Sequence, residues 1–160
     1  MNPFEVAGLP LHPLVVHGAV VLVPLTALAL VLGAILPSAR RRLGAATPLA
    51  AVVTVVLVYV AAVSGGALKE VVGPLPQVAR HEALAVLVPP WTIGMAVVAV
   101  AQWLWFRRRP ADGASAREAS SRRDRVVGVM IAGLALVTAS GATVSVVLAG
   151  EAGARAVWGG

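Results

Sequence analysis

No cysteine occurs in the 160 residues. That excludes disulfides, thiolate metal sites, c-type haem attachment and thiol nucleophiles. Charge is almost as scarce. Only 12% of the residues are charged, against 59% hydrophobic, and the mean hydropathy is +0.88. No Lys, Arg, Asp or Glu falls inside the long apolar runs, which argues against a voltage sensor or a carboxylate-based proton pump. A nucleotide-binding glycine loop, an HExxH helix and a Ser-His-Asp triad in recognisable context are also missing.

What is present is apolar surface in excess. A soluble chain of this size cannot hide so much of it, so lipid is the expected solvent. Four runs are long enough to cross a bilayer as helices. They are expected at about residues 13–36, 48–68, 83–106 and 126–149, forming one transmembrane domain over 1–160. The expected fold is an all-α integral membrane four-helix bundle. Pro13 suits a first helical turn, as does Pro48 after Thr47. Pro24 is expected to kink helix 1, and Pro89 with Pro90 to bend helix 3. Lys69 to Glu82 reads as a polar loop, Arg107 to Arg125 as a polar linker, and Glu151 to Gly160 as a short tail anchored by Trp158. Gly141 and Ser145 form a small-xxx-small pair suited to close helix packing. No internal repeat stands out.

The formal net charge of +6 would raise nucleic acid as a partner in a soluble protein. Here the arginines flank apolar runs, so topology and anionic lipid headgroups explain them better, and no nucleic acid is expected. The linkers after helices 1 and 3 carry ten arginines: Arg40, Arg41, Arg42, Arg107, Arg108, Arg109, Arg117, Arg122, Arg123 and Arg125. The other side carries Lys69, Arg80 and Arg155. The positive-inside rule then places both termini outside (N-out/C-out) in a bacterial plasma membrane, with Trp103, Trp105 and Phe106 at the inner interface. The stretch from Met1 to Leu11 lacks a basic region and carries Glu5, so a retained first helix is expected rather than a cleaved signal.

Three histidines, His12, His17 and His81, fall on the expected outer side. His17 lies about 7 Å deeper than His12 at 1.5 Å per residue. Histidine is the commonest metal ligand and a usual axial ligand of b-type haem. Without cysteine, a transition-metal site would need imidazole and carboxylate, and Glu82, Glu151 and Glu5 share that side. Positions five apart diverge by about 140° around a helix, so helix 1 alone makes a poor chelate. A site therefore needs His17 or His12 to meet His81 across helices, with His17 and His81 the first choice for haem. Tyr59 and Trp91, each about 12 Å deep, can line a pocket for a planar ligand or simply pack the core.

The segment Leu9-Pro10-Leu11-His12-Pro13-Leu14-Val15-Val16-His17 resembles the opening of a bacterial membrane family called domain of unknown function 2231. The segment Gly150-Glu151-Ala152-Gly153-Ala154-Arg155-Ala156-Val157-Trp158 is similar to the tail of its actinobacterial members, and His81 near the start of helix 3 also fits. The resemblance implies four helices and a plasma-membrane location, and no established activity. Two functions stay open. One is an accessory or structural membrane subunit without catalysis, docked on a partner or on its own copies. The other is a small redox module holding b-type haem or a metal on the outward histidines. A transporter ranks last, since no polar stripe lines a pore.

Because the chain lacks cysteine, its topology can be read from single substitutions. Ser115→Cys in intact cells is expected to resist a membrane-impermeant maleimide, whereas Gln77→Cys is labelled.

Overall fold

The computed structural model describes residues 5–6, 9–73, 75–108 and 122–158. A two-residue antiparallel ladder, β1 (Glu5–Val6) with β2 (Leu9–Pro10), precedes the helices. They are α1 (Leu11–Ile35), α2 (Pro37–Leu43), α3 (Ala46–Val72), α4 (Pro76–Ala85), α5 (Val88–Arg107) and α6 (Arg122–Trp158). Four spans are long and apolar enough to cross a membrane: α1, α3, α4 with α5, and α6.

The elements depart from the expected boundaries in three places. The loop expected over Lys69 to Glu82 is mostly helix. α3 runs on to Val72 and ends at Gly73, whose φ of 86° suits glycine, and Pro76 begins α4. The tail expected after residue 149 is instead the last part of α6, which spans 37 residues, about 55 Å at 1.5 Å per residue. The hydrocarbon core is only about 30 Å thick, so α6 outreaches any membrane it crosses. In place of one bent helix from Ala83, the chain turns at Val86 and Leu87 and restarts at Val88. Pro89 and Pro90 then sit in the first turn of α5, where a missing N–H breaks no helical bond. α1 is continuous through Pro24. The centre of the linker, 109–121, lies outside the described residues.

The four spans close a ring in which α1 and α5 each touch both α3 and α6 and lie diagonally opposite each other. The buried positions follow a seven-residue spacing in every span. Ala19, Thr26 and Gly33 are buried in α1, Thr47 and Thr54 with Ala51 and Val58 in α3, and Val88, Met95 and Gln102 in α5. α6 buries Ala135, Ala142 and Ala149 beside Ala139 and Val146. This is the spacing of knobs-into-holes packing. It was not visible as an amphipathic stripe, because the outward residues are apolar too. Leu25, Leu28, Val56, Val97 and Val137 are each more than half exposed.

The seam mixes small and mildly polar residues with a few large ones, of which Val23, Leu30 and Met95 are fully buried. Lipid supplies no hydrophobic drive between helices, so close backbone approach and internal hydrogen bonds must hold them. Thr26 Oγ1 and Thr54 Oγ1 meet at 3.2 Å across α1 and α3. Thr92 and Ser145 satisfy their hydroxyls within their own helices, on the Val88 carbonyl and the Ala142 carbonyl, each at 3.1 Å. Gly141 lies under Trp91, whose ring would clash with an added Cβ. The pair Gly141 and Ser145 therefore serves the chain's own bundle.

Ala142 is fully buried and Val144 is 57% exposed. Ala142→Leu is expected to destabilise the bundle by about 1–3 kcal/mol through overpacking, and Val144→Leu to change it by less than about 0.5 kcal/mol. Chemical unfolding in a mild detergent, followed by circular dichroism, checks both.

Candidate functional site

The repeat of seven carries the buried seams outward to one end of the bundle. Seven residues before Ala19 is His12, and seven before Val88 is His81. The turn at Val86 and Leu87 keeps right-handed helical backbone angles, so His81 stays in phase with α5 although it belongs to α4. Both imidazoles thus point inward and half-buried. Their ring centroids lie 6.1 Å apart, edge to face at 77°. At the opposite end the same two stripes meet again, where Gln102 Nε2 closes on Gly33.

Each ring is seated on a glycine and tied to a backbone carbonyl. His12 Nδ1 lies 2.9 Å from the Ala61 carbonyl oxygen and 3.4 Å from Ser64 Oγ. A Cβ on Gly65 would stand 2.9 Å from its Cε1. His81 Nδ1 lies 2.8 Å from the Ala149 carbonyl oxygen, and a Cβ on Gly153 would stand 3.1 Å from that nitrogen. Gly65 is seven residues from Val58, and Gly153 seven from Val146, so the glycines also continue the seams.

A carbonyl oxygen can only accept, so each Nδ1 must donate. In a neutral imidazole this leaves Nε2 unprotonated with its lone pair available. Neither Nε2 has a hydrogen-bond partner among the described residues. The same pattern, one ring nitrogen donating to a backbone carbonyl, is what orients metal-ligating histidines.

The other residues singled out in the sequence are placed differently. His17 is exposed, and its Nδ1 bonds the Pro13 carbonyl of its own helix at 2.6 Å. Its five-residue offset from His12 turns it off the seam, so the structure pairs His81 with His12 and not with His17. Glu82 is ion-paired with Lys69, and Glu151 with Arg155 at 2.6 Å. No group of three or more metal-ligating side chains forms among the described residues. The side chain of Glu5 lies outside them. Tyr59 is 69% exposed, and Trp91 is engaged with Gly141, so these two aromatics do not close a pocket with the histidines. The residues missed in the sequence are the backbone partners Ala61 and Ala149 and the seats Gly65 and Gly153. Gly153 was hidden because the segment holding it reads as tail.

Four apolar spans around a mildly polar seam define a multi-pass integral membrane protein. More particularly, the chain belongs to the family described as "Predicted membrane protein (DUF2231)", which matches residues 8–160. No curated protein and no solved structure matches the chain.

Nitrogen-15 spectra of histidine-labelled protein at a pH where the rings are neutral are expected to show the Nδ1–H tautomer for His12 and His81. Free imidazole side chains favour Nε2–H, so that form at both positions would contradict the carbonyl ties.

Proposed function

We propose that the protein is a membrane module without catalysis of its own that holds a transition-metal ion at its outer end, with His12 and His81 as ligands. The observation that carries this reading is the pair of carbonyl-bound Nδ1 atoms, which frees two Nε2 lone pairs on rings 6.1 Å apart. Neutral imidazole suits zinc, copper, nickel and iron. Two protein ligands leave the remaining coordination positions to water or to a group arriving from outside. The arginine distribution supports placing this end on the outer face.

The reading keeps the chain in the accessory class, since a bound ion with open positions can be handed on or can tie a partner. A b-type haem on the same two nitrogens is the second reading, because axial ligation asks for the same lone pairs. It needs a planar slot between the helices as well, which a single ion does not.

The test is metal uptake by the full chain in detergent, with zinc and copper as probes, beside its absorption spectrum. One ion per chain is expected. His12→Ala and His81→Ala should each weaken binding by at least about tenfold, and His17→Ala should leave it unchanged. Binding that survives the His12→Ala/His81→Ala double substitution would overturn the assignment. A Soret band in the purified protein would replace the ion by haem.

A further inference from the structure

α4 carries His81, and it is held mainly from one side. It packs against α6. Val78, His81, Leu84 and Ala85 are half-buried, and no side chain of α4 is fully buried. Two polar ties secure it among the described residues. His81 Nδ1 donates to the Ala149 carbonyl of α6, and Lys69 of α3 pairs with Glu82. The second is an exposed ion pair, which contributes little. Toward α1 the contact is the edge of one imidazole on the face of the other. No hydrogen bond or ion pair joins α1 to α4 among the described residues. We propose, on the metal reading above, that α4 is a metal-operated clasp. An ion shared by His12 and His81 draws it onto α1, and loss of the ion lets it swing at its two ends.

Both ends are built as joints. Before α4, the preceding helix stops at Gly73 with φ at 86°, and Pro76 opens the new helix. After it, Pro89 and Pro90 supply no N–H, so the carbonyls of Ala85 and Val86 lack their helical donors. The N–H groups of Val86 and Leu87 bond back to Glu82 and Leu84. The junction with α5 thus keeps helical phase but lacks the unbroken ladder that stiffens a helix. A helix with few buried contacts between two such joints opens locally at lower cost than the spans beside it.

The geometry of the rings gives the ion its leverage. With metal–nitrogen bonds of about 2.0–2.1 Å, two imidazoles on one tetrahedral ion have their centroids about 5 Å apart. The rings of His12 and His81 stand 6.1 Å apart. Closing on an ion therefore draws α4 toward α1 by about 1 Å and adds a strong link where the helices otherwise only touch. The ion favours the closed arrangement, because only there do both Nε2 lone pairs converge, and a ligand shifts an equilibrium by its differential affinity. Gln77, Arg80 and Glu82 lie on the exposed face of α4. Metal occupancy thus sets whether that face is presented as one fixed array.

The test follows hydrogen exchange of the full chain in mild detergent by mass spectrometry, in EDTA and at free zinc ten times its measured dissociation constant. Zinc is expected to slow exchange over Ala79 to Ala85 by about tenfold, since an ion that binds one state alone lowers the open fraction in proportion to its excess. The core of α6, Ile131 to Val146, should keep its rate. His12→Gln, made on α1 and still able to donate to the Ala61 carbonyl, should abolish the effect of zinc on α4. Lys69→Ala should speed α4 exchange in EDTA by about two- to fivefold, and zinc should restore the protection. An unchanged α6 core in EDTA verifies that each variant is folded. Zinc uptake that leaves α4 exchange unchanged, or slows it equally in His12→Gln, would overturn the clasp while the ion itself still binds. Exchange of α4 in EDTA as slow as that of the α6 core would show that neither joint opens, and would overturn it too. Absence of metal uptake would overturn the metal site itself, and the clasp with it.

Discussion

Close approach of helix backbones along a seam of small residues is the constraint on which the rest depends. In lipid, burying a leucine against another leucine gains little, because acyl chains already offer the same contact. What a bundle can gain is density and internal hydrogen bonding. The chain meets this with many alanine, glycine, threonine and serine residues at buried positions seven residues apart, between a few large ones such as Val23, Leu30 and Met95, while most of its large aliphatic side chains face outward. Thr26, Thr54, Thr92 and Ser145 then find partners without water, as a membrane interior requires.

The same repeat shapes both ends of the bundle. His12, Ala19, Thr26 and Gly33 form one stripe on α1, and His81, Val88, Met95 and Gln102 form its diagonal counterpart on α4 and α5. The stripes meet at both extremities, imidazole against imidazole at one and Gln102 against Gly33 at the other. Neither end is an addition to the fold. Each is the packing pattern continued to an end of the bundle, where a polar side chain takes the core position. The break before Pro89 is compatible with this because the backbone stays helical through Val86 and Leu87, so phase is preserved across the turn. The length of α6 matters equally. Without its extension past residue 149 there would be no Gly153 to seat the His81 ring.

Much of this was legible in the sequence, and what was not has identifiable physical reasons. Runs of twenty or so apolar residues between arginine clusters fixed the number of spans, and the opening and closing motifs pointed to the family. Helix ends were misplaced because membrane thickness was used to stop them. A helix need not end where lipid does, and Lys69 to Val72 and Gly150 to Trp158 continue as helix beyond the apolar runs. The need for one imidazole of helix 1 to meet His81 across helices was also readable, but not which one. Hydrophobic patterning cannot decide this when both faces are apolar. The repeat of small residues can. Counting back seven from Ala19 reaches His12, whereas His17 is only two from Ala19 and lies nearly opposite it on the helix. Gln102 escaped notice for a different reason. Its approach to Gly33 is a property of three dimensions alone.

The seven-residue seam sets the register in which α1 and α4 face each other. The absence of native cysteine makes it directly measurable. In membranes treated with a mild oxidant, the His12→Cys/His81→Cys chain is expected to form an intramolecular disulfide readily, and the His17→Cys/His81→Cys chain is not. Preferential cross-linking of positions 17 and 81 would mean that α1 presents its other face to the bundle, and the account of the seam would be wrong.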